Sequence, residues 1–313
     1  MTDEAARLEE ILARIRRMED AVGKISGALG ALTQACQQRS SDILFSQVAY
    51  LGDHRALTYL HTGQKLFVDT RSIDIGTHLM YGGHWEQEYA TAFLRLLKPG
   101  DVVLDIGSNH GVYALLAATR VAPGGRIFAF EPSRSFCDLI CASVSVNGIE
   151  HLVTVVQQAV ADRARTTALV ANAQWSGGAH LAARPGAEDP VNPARPVASE
   201  TIECIALDDY FADPAQEVDV IKMDIEGAEG LALKGMAKLV DRSPNLKLLM
   251  EFSPRMMARF ECGADYVVDF LDSRGFMCWT VNADGSLAPA RWQSLLADPN
   301  AIRNIVLSRQ GLG

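Results

Sequence analysis

The sequence predicts an α/β protein with a doubly wound, mostly parallel sheet and an antiparallel last strand, preceded by an N-terminal coiled-coil helix. Three observations lead to this fold class. From Asp101 onward, short apolar runs alternate with amphipathic helical patterns, which is typical of βαβ units. The first apolar run ends in a turn with two glycines, residues 105–111, that leads directly into a helical pattern. Residues 3–33 carry a continuous seven-residue apolar repeat, the signature of a coiled coil.

Composition limits the class of protein and its partners. The chain has 313 residues, 48% of them hydrophobic, enough for one large domain with appendages. A formal net charge of −9 argues against a nucleic-acid partner, because phosphate binding needs clustered lysine and arginine. No apolar run approaches the roughly 20 residues of a membrane span, and the charged N-terminus has no signal-peptide core. We therefore expect a cytoplasmic protein whose six scattered cysteines are free thiols and form no zinc site.

The N-terminal segment, residues 1–38, is predicted to be an oligomerisation helix. Its apolar residues recur at alternating steps of three and four and define a seam: Leu8, Ile11, Ile15, Met18, Val22, Ile25, Leu29 and Leu32. Arg14 and Glu19 lie where a charge pair would form between parallel helices. We expect a homo-oligomer through residues 5–33, with dimer and trimer both open because isoleucine occurs at both kinds of seam position. The alternative is an amphipathic helix packed on its own domain.

Residues 39–98 are predicted to form a cap region of short strands and one helix. Strands at 56–61 and 65–69 flank a Thr-Gly-Gln turn and form a hairpin. A helix then begins after Trp85 and ends at Leu97, before a Pro-Gly pair. Because Trp85 lies just before the first strand of the main sheet, it either belongs to the core or covers a ligand pocket.

Residues 99–313 are predicted to form the ligand-binding domain, in which strands and helices alternate. The predicted strands are 102–105, 127–131, 153–159, 218–224, 246–250, 277–281 and 304–308, and the predicted helices are a segment up to Arg120, then 134–146, 231–239 and 266–274. Residues 163–206 interrupt this alternation with antiparallel strands at 166–170 and 201–205 around a Ser176-Gly177-Gly178 turn. The Ala- and Pro-rich loop 182–199 is predicted to be a mobile substrate lid, since loops of this length are usually functional or disordered.

The first strand–helix turn has the spacing Asp-x-Gly-x-x-x-Gly, from Asp105 to Gly111. It lacks the second glycine of a dinucleotide fingerprint, which lets the backbone reach a pyrophosphate, and this disfavours a nicotinamide-dependent oxidoreductase. Glu131 closes the second strand, at the position where an acid holds a ribose diol in this architecture. A ribose site without a pyrophosphate site points to S-adenosylmethionine as the cofactor.

Further acids end the predicted strands at the sheet edge where ligands bind. The strand-end acids are Asp105, Glu131, Asp162, Asp224 and Glu251. Apolar strands that each end in a carboxylate predict ligands or cations that satisfy these charges. Asp162, with the backbone near Val160, is expected to contact the adenine edge, whereas Asp105, Gly107 and Asn109 are expected to surround the methionyl group.

Methyl transfer to a hydroxyl also needs a proton acceptor, because the hydroxyl pKa is far above neutral. Asp224 and Glu226 follow the fourth strand and are the candidate bases. Glu251 could assist them, or could join Asp224 in holding a divalent cation such as Mg²⁺ through oxygen ligands. Glu229 is a candidate cap of the next helix, and His110 is either a rival base or an exposed loop residue.

The stretch Ile221–Glu229 resembles the Ile-Lys-x-Asp-x-Glu-Gly-Ala-Glu signature of the FkbM-type S-adenosylmethionine-dependent methyltransferases. Residues 105–111 are similar to the first motif of that family, except that His110 stands where the family usually has a small or apolar residue. Further matches follow in family order at Trp85-Glu86, Glu131-Pro132, 159–162 and 176–178, so the resemblance covers roughly residues 55–310. It implies a Rossmann-like methyltransferase sheet, S-adenosylmethionine as the cofactor, and O-methylation, often of sugar hydroxyls in glycans or natural products.

Together with this resemblance, the residues predict a cofactor site and a catalytic site. The predicted cofactor-binding residues are Trp85, Glu86, Asp105, Gly107, Ser108, Asn109, Gly111, Glu131, Pro132, Val160, Asp162 and Asp224. The predicted catalytic residues are Asp224, Glu226 and Glu251. The leading hypothesis is an O-methyltransferase acting on a hydroxyl of a sugar, a glycan or a glycosylated natural product. The alternatives are a methyltransferase with a non-sugar acceptor, and an inactive coiled-coil assembly protein with a nucleoside-binding domain.

Overall fold

An uninterrupted helix, α1 (Thr2–Phe45), opens the chain and forms a unit separate from the rest, which begins at Val48. The computed structural model describes residues 2–45, 48–183 and 198–312. Helix α1 is longer than the apolar repeat that predicted it. Within the described ranges, neither α1 nor any other helix has the length and hydropathy of a membrane span.

The second unit begins with a small antiparallel sheet of three strands, β1 (Ala49–Gly52), β2 (Arg55–Tyr59) and β3 (Lys65–Asp69). The predicted hairpin is confirmed as β2 and β3, and β1 adds a strand to it. A helix, α2 (Ile75–Gly82), follows where the sequence pattern predicted only short strands. Only Ile75 and Leu79 give it a buried apolar face, which is too short a repeat to detect along the sequence.

The predicted alternation of strands and helices is confirmed in the rest of the unit. Its elements are α3 (Gln87–Leu96), β4 (Val102–Ile106), α4 (Val112–Val121), β5 (Arg126–Phe130), α5 (Arg134–Val146), β6 (Val153–Val156), β7 (Ala159–Val160), β8 (Arg165–Asn172), β9 (Trp175–Leu181), β10 (Ala198–Ile205), α6 (Leu207–Tyr210), β11 (Val220–Met223), α7 (Glu229–Gly235), α8 (Ala237–Asp241), β12 (Lys247–Phe252), α9 (Pro254–Met257), α10 (Ala264–Asp272), β13 (Met277–Val281), β14 (Leu287–Ala290), α11 (Trp292–Leu296) and β15 (Arg303–Ser308).

The main sheet has eight strands in the order β14-β13-β15-β12-β11-β4-β5-β6. Strands β12, β11, β4, β5 and β6 pair in parallel, and the last strand of the chain, β15, lies antiparallel between β12 and β13. The chain runs outward from β4 to β6 on one side and from β11 to β12 on the other. This confirms the doubly wound, Rossmann-like prediction and puts the switch point, where such sheets bind ligands, between β4 and β11.

Each central strand alternates its side chains between two apolar cores, one on each face of the sheet. Val103 and Val220 pack with the helices α3, α4 and α5, whereas Leu104 and Ile221 pack with α7, α8 and α10. Successive side chains of a strand point to opposite faces of the sheet, and both faces are covered by helices. Positions on both faces are therefore buried, which explains the unbroken apolar runs in the sequence.

A second, four-stranded sheet in the order β7-β10-β8-β9 corrects two predictions. The predicted strand 153–159 is divided, because β6 ends at Val156 and β7 pairs with β10 instead. The predicted turn at residues 176–178 lies within β9; the chain reverses earlier, where the Asn172 side chain accepts the Gln174 N–H at 2.8 Å. Of the predicted lid, residues 184–197 lie outside the described residues, and 198–199 begin β10.

Candidate active site

The turn between β4 and α4 packs its main chain directly against the end of β11. Gly107 has a φ of +79°, and a Cβ atom there would lie 2.0 Å from the carbonyl oxygen of Asp224. The Gly107 N–H donates to the carbonyl oxygen of Phe130 at 3.0 Å, so the turn is also joined to the end of β5. Only glycine combines this conformation with this close approach. The turn therefore fixes the ends of three strands relative to one another.

Replacing Gly107 by Ala is expected to lower the free energy of unfolding by about 3 kcal/mol or more, through backbone strain and overlap with Asp224. Gly148 is the matched control, since it also has a positive φ (+67°) but no atom within 4 Å of the position that a Cβ would take. Gly148→Ala should cost only about 1 kcal/mol. Urea denaturation of both variants measures the difference, and equal losses would contradict the close contact.

A cavity of about 310 Å³ opens at the carboxyl ends of β4, β5 and β11. Its size falls at the lower end of the range for small-molecule sites, about 300–1,000 Å³. One wall comes from β8, β9 and β10, so the second sheet completes a pocket that the main sheet begins. The predicted site residues that line the cavity are Trp85, Gly107, Ser108, Asn109, Glu131, Pro132, Val160 and Asp224.

Glu131 is the buried acid of this cavity, and its carboxylate is held by the neighbouring main chain. Its two oxygens accept the N–H groups of Asn109 and Ser133, each at 2.9 Å. Burial raises the pKa of Glu131 to about 7. Each carboxylate oxygen can accept a second hydrogen bond. Glu131 therefore has the acceptor capacity to hold two adjacent hydroxyl groups of a ligand in the cavity.

Three other predicted cofactor residues lie behind the cavity wall rather than in it. Asp105 is buried beneath the turn, where its Oδ2 accepts the Ala114 N–H at 3.1 Å and burial raises its pKa. Gly111 precedes α4 with a φ of +81°. Glu86 accepts the Tyr113 hydroxyl at 3.0 Å and the Asn304 amide at 2.6 Å. These residues support the turn and the helix behind it.

Asp162 does not line the cavity, although Val160, two residues earlier, does. Its carboxylate pairs with Arg163 at 3.0 Å and also with Arg165, and its side chain is 6% exposed. Both of its oxygens are thus engaged by arginines on the neighbouring residues of the chain.

Asp224 lines the cavity at the end of β11, and its carboxylate pairs with a buried lysine, Lys222, that also lines the cavity. Lys222 Nζ lies 3.4 Å from Asp224 Oδ2 and 4.8 Å from the centre of the Tyr113 ring. Burial alone would lower the pKa of Lys222, but attraction to Asp224, Asp105 and Glu86 outweighs it and raises the pKa. Lys222 is therefore a permanent cation. Lys222 was absent from the predicted site residues, although a lysine inside an apolar strand itself indicates a buried charge that needs an acidic partner.

Asp224, Glu226 and Glu251 form a carboxylate cluster in which an oxygen of each lies within 4.8 Å of the others. Glu226 and Glu251 do not line the cavity. Burial, together with repulsion from Asp224 and the other acids, raises the pKa of both glutamates well above the ordinary value. A raised pKa favours the protonated form of each side chain, which can donate a hydrogen bond. Asp224 is the member of the cluster that faces both the cavity and the lysine.

His110 is fully buried and lines the cavity. The sequence had predicted either a catalytic base or an exposed loop residue at this position. His110 Nε2 accepts the Asp69 N–H at 3.3 Å, and its Nδ1 contacts Asn109 Oδ1. These contacts require a neutral ring with its proton on Nδ1. Asn109, held in this way, donates to the carbonyl oxygen of Ser176 at 2.9 Å. His110 thus connects the cap hairpin, the glycine turn and β9.

Acid is expected to destabilise the protein through His110. Burial lowers its pKa to about 4 from the ordinary value of 6.5, so the unfolded chain takes up a proton at a higher pH than the folded one. Stability should therefore fall as the pH drops below 6.5, by about 2 kcal/mol between pH 7 and pH 5. The measurement is urea denaturation at both pH values for the wild type and His110→Gln, whose loss should be smaller by that amount. The exposed His151→Gln is the control, and an unchanged pH slope in His110→Gln would contradict the assignment.

The ion pair between Arg71 and Asp69 at the cavity wall was also not predicted from the sequence. Arg71 Nη2 donates to Asp69 Oδ2 at 2.6 Å, and both residues line the cavity. The Arg71 side chain is 46% exposed, so the pair offers polar groups to a ligand that extends toward solvent. Its position at the end of the hairpin gave no signal in the sequence, because charged residues commonly follow strands in turns.

A comparison with models of protein families assigns the chain to a family. The family model of the methyltransferase FkbM domain matches residues 105–278, more than half of the chain. The chain belongs to the FkbM methyltransferase family. The resemblance predicted from Ile221–Glu229 is thereby confirmed, and the protein is a methyltransferase. No curated protein matches the sequence.

Solved structures of other methyltransferases are similar to this FkbM family member at low sequence identity. An FkbM methyltransferase from Methylobacillus flagellatus KT has 12% identity and a TM-score of 0.38, over 74% of this chain and 52% of that one. The O-methyltransferase TomG from Streptomyces achromogenes, solved with S-adenosylmethionine, has 15% identity and a TM-score of 0.39, over 71% and 78%. A precorrin-6y C5,15-methyltransferase from Geobacter metallireducens GS-15 has 14% identity and a TM-score of 0.38, over 71% and 86%.

Proposed function

We propose that the protein is an S-adenosylmethionine-dependent O-methyltransferase that methylates a hydroxyl of a sugar, a glycan or a glycosylated natural product. The observation that carries the proposal is the presence of Glu131 and Asp224 in the same cavity, on either side of the glycine turn. The first is suited to hold a ribose, and the second to accept a proton. One cavity thus offers the two carboxylates that cofactor binding and hydroxyl activation require.

The residues of the cavity fit the proposed cofactor. Glu131 has free acceptor capacity for the two ribose hydroxyls, and charge-assisted hydrogen bonds of this kind contribute about 1.5–3 kcal/mol each. Val160 and Pro132 also line the cavity and would contact the base. The turn at Gly107 and Asn109 would contact the methionyl group. When bound, S-adenosylmethionine supplies a methyl group on a positively charged sulfur.

In the proposed reaction the acceptor oxygen forms a bond to the methyl carbon while the bond from that carbon to sulfur breaks. The hydroxyl proton passes to Asp224, which needs to be a carboxylate before the reaction begins. Lys222 Nζ lies 3.4 Å from Asp224 Oδ2 and provides positive charge beside the proposed base. We assign the base to Asp224 rather than to Glu226 or Glu251, because neither glutamate lines the cavity and burial raises the pKa of both. Their role in the proposal is to surround Asp224 with groups that can donate hydrogen bonds.

Several polar residues and one aromatic residue of the cavity suit a polyhydroxylated acceptor. Asp69, Arg71 and Asn172 present donors and acceptors to the cavity, and Trp85 adds an aromatic ring. Polar groups that converge in a pocket of this kind define the orientation of a ligand. A sugar has hydroxyls for the polar groups and apolar C–H faces for the ring. A non-sugar alcohol or phenol is the alternative acceptor.

The experiment combines binding with turnover. Calorimetric titration with S-adenosylhomocysteine tests the cofactor, and transfer of a labelled methyl group to a panel of nucleotide sugars, glycans, glycosides and phenols tests the acceptor. We expect binding, and transfer to a sugar hydroxyl. Transfer to phenols alone would overturn the sugar assignment. Failure to bind S-adenosylhomocysteine would overturn the cofactor assignment and favour an assembly role without catalysis.

The proposed reaction needs no divalent cation at the carboxylate cluster, because Lys222 already provides positive charge beside Asp224. We therefore expect turnover to persist after treatment with EDTA. The measurement is the initial rate before and after chelation, and again after Mg²⁺ is added. A loss on chelation that Mg²⁺ restores would instead place a cation between Asp224, Glu226 and Glu251, whose oxygens are close enough to share one.

A further inference from the structure

Helix α1 exposes an apolar stripe along its length. The side chains of Ile15, Met18, Val22, Ile25, Leu29 and Leu32 are 45–68% exposed. They are six of the eight seam residues that the sequence pattern identified. An apolar stripe on a helix is normally buried against another element. A helix of 44 residues with this stripe in solvent therefore has an unpartnered face.

The seam extends beyond the predicted repeat. Cys36 follows Leu29 by seven residues and so occupies the same seam position one heptad later. It is an exposed, free cysteine. The helix is continuous through this position and ends only at Phe45. The apolar face, with Cys36 at its end, is thus longer than residues 5–33.

The glycines of α1 do not interrupt this face. Gly23, Gly27 and Gly30 each have nothing within 4 Å of a potential Cβ, and by the heptad count they fall outside the seam and its flanking positions. They weaken the helix by about 1 kcal/mol each relative to alanine. Packing of the seam against a partner would offset this cost.

We propose that α1 packs against the α1 helices of further copies of this chain, parallel and in register, so that Cys36 of one copy faces Cys36 of the next. The inference does not depend on the proposed function. The flanking charges determine the orientation. Arg7 and Arg14 lie on one side of the seam, and Glu19 on the other. Parallel helices place these opposite sides together and pair Arg14 with Glu19, whereas antiparallel helices place each side against itself and form no such pair.

Cysteine cross-linking distinguishes the two orientations. A disulfide requires Cα atoms about 4.4–6.8 Å apart. In a parallel, in-register assembly the Cys36 residues share one layer, whereas in an antiparallel assembly of the same seam they lie more than about 40 Å apart. The test uses a Cys141→Ser background, because Cys141 is the other cysteine that the described structure exposes. With copper phenanthroline as the oxidant, two thiols form one disulfide, their two electrons reduce two Cu²⁺ ions to Cu⁺, and their two protons pass to water.

We expect Cys36 to form covalent dimers about tenfold faster than the matched variant Cys36→Ser/Gln34→Cys, whose thiol lies outside the seam. Sedimentation equilibrium should give the mass of two or three copies for the wild type and of one copy for Val22→Asp/Ile25→Asp. A wild-type monomer would overturn the proposal. So would an oligomer that Cys36 does not cross-link, or one that survives the double aspartate substitution.

Discussion

Asp224→Asn is expected to lower kcat by about 10²–10⁴-fold, the usual contribution of a general base. The substitution retains the shape of the side chain but removes its ability to accept a proton from the acceptor hydroxyl. The dissociation constant for S-adenosylhomocysteine should change little, because in the proposed arrangement Glu131 holds the ribose and Val160 contacts the base. Steady-state kinetics with an identified acceptor measure the effect on kcat, and calorimetry measures the effect on S-adenosylhomocysteine binding. Loss of binding along with activity would contradict the assignment of Asp224 as a base.

Glu226→Gln and Glu251→Gln are the matched controls for Asp224→Asn. Burial and neighbouring acids raise the pKa of both glutamates and so favour the protonated form, which an amide of the same size replaces closely. We expect kcat to fall by less than about tenfold in either variant. If Glu226→Gln abolishes turnover while Asp224→Asn retains it, the base is Glu226.

Glu131→Ala is expected to weaken S-adenosylhomocysteine binding by roughly 100-fold or more, since two charge-assisted hydrogen bonds are lost at about 1.5–3 kcal/mol each. The same carboxylate should make binding depend on pH. Because its pKa in the free protein is raised to about 7, the acceptor form is lost as the pH falls. Affinity should therefore be about tenfold lower at pH 6 than at pH 8.

Calorimetric titration at both pH values measures the Glu131 effect, with Asp162→Ala as the comparison. Asp162 was predicted to contact the adenine edge, but its carboxylate pairs with arginines and lies outside the cavity. Its removal should change the affinity by less than about threefold and leave the pH dependence intact. Equal losses in Glu131→Ala and Asp162→Ala would show that the strand-end acids act together.

The sequence was sufficient to predict the secondary structure where the local pattern agrees with the global fold. The apolar runs at 102–105 and 127–131 could only be buried strands, and the turn after Asp105 allowed only glycine at its close contact. Helix α2 was not predicted because its buried face consists of too few residues to give a helical pattern. The division of the predicted strand 153–159 depends on pairing between Ala159 and Cys204, which no local pattern encodes.

Site residues were predictable where their position on the sheet determined their surroundings. Glu131 and Asp224 face the cavity because they end strands on either side of the switch point. The raised pKa values of Glu226 and Glu251 result from contacts between separate strands and could not be foreseen. The arginine pairs of Asp162 were visible, since Arg163 and Arg165 are its neighbours in sequence, and they are a stronger signal than the strand-end position. His110 required the hairpin at Asp69 to explain its burial.

The contact of Gly107 with the Asp224 carbonyl joins the cofactor turn to the proposed base through main-chain atoms alone. The side chains proposed to contact the acceptor, Asp69, Arg71 and Asn172, lie outside this main-chain contact. Substitutions at these positions should therefore change the acceptor preference without altering the distance between the glycine turn and Asp224.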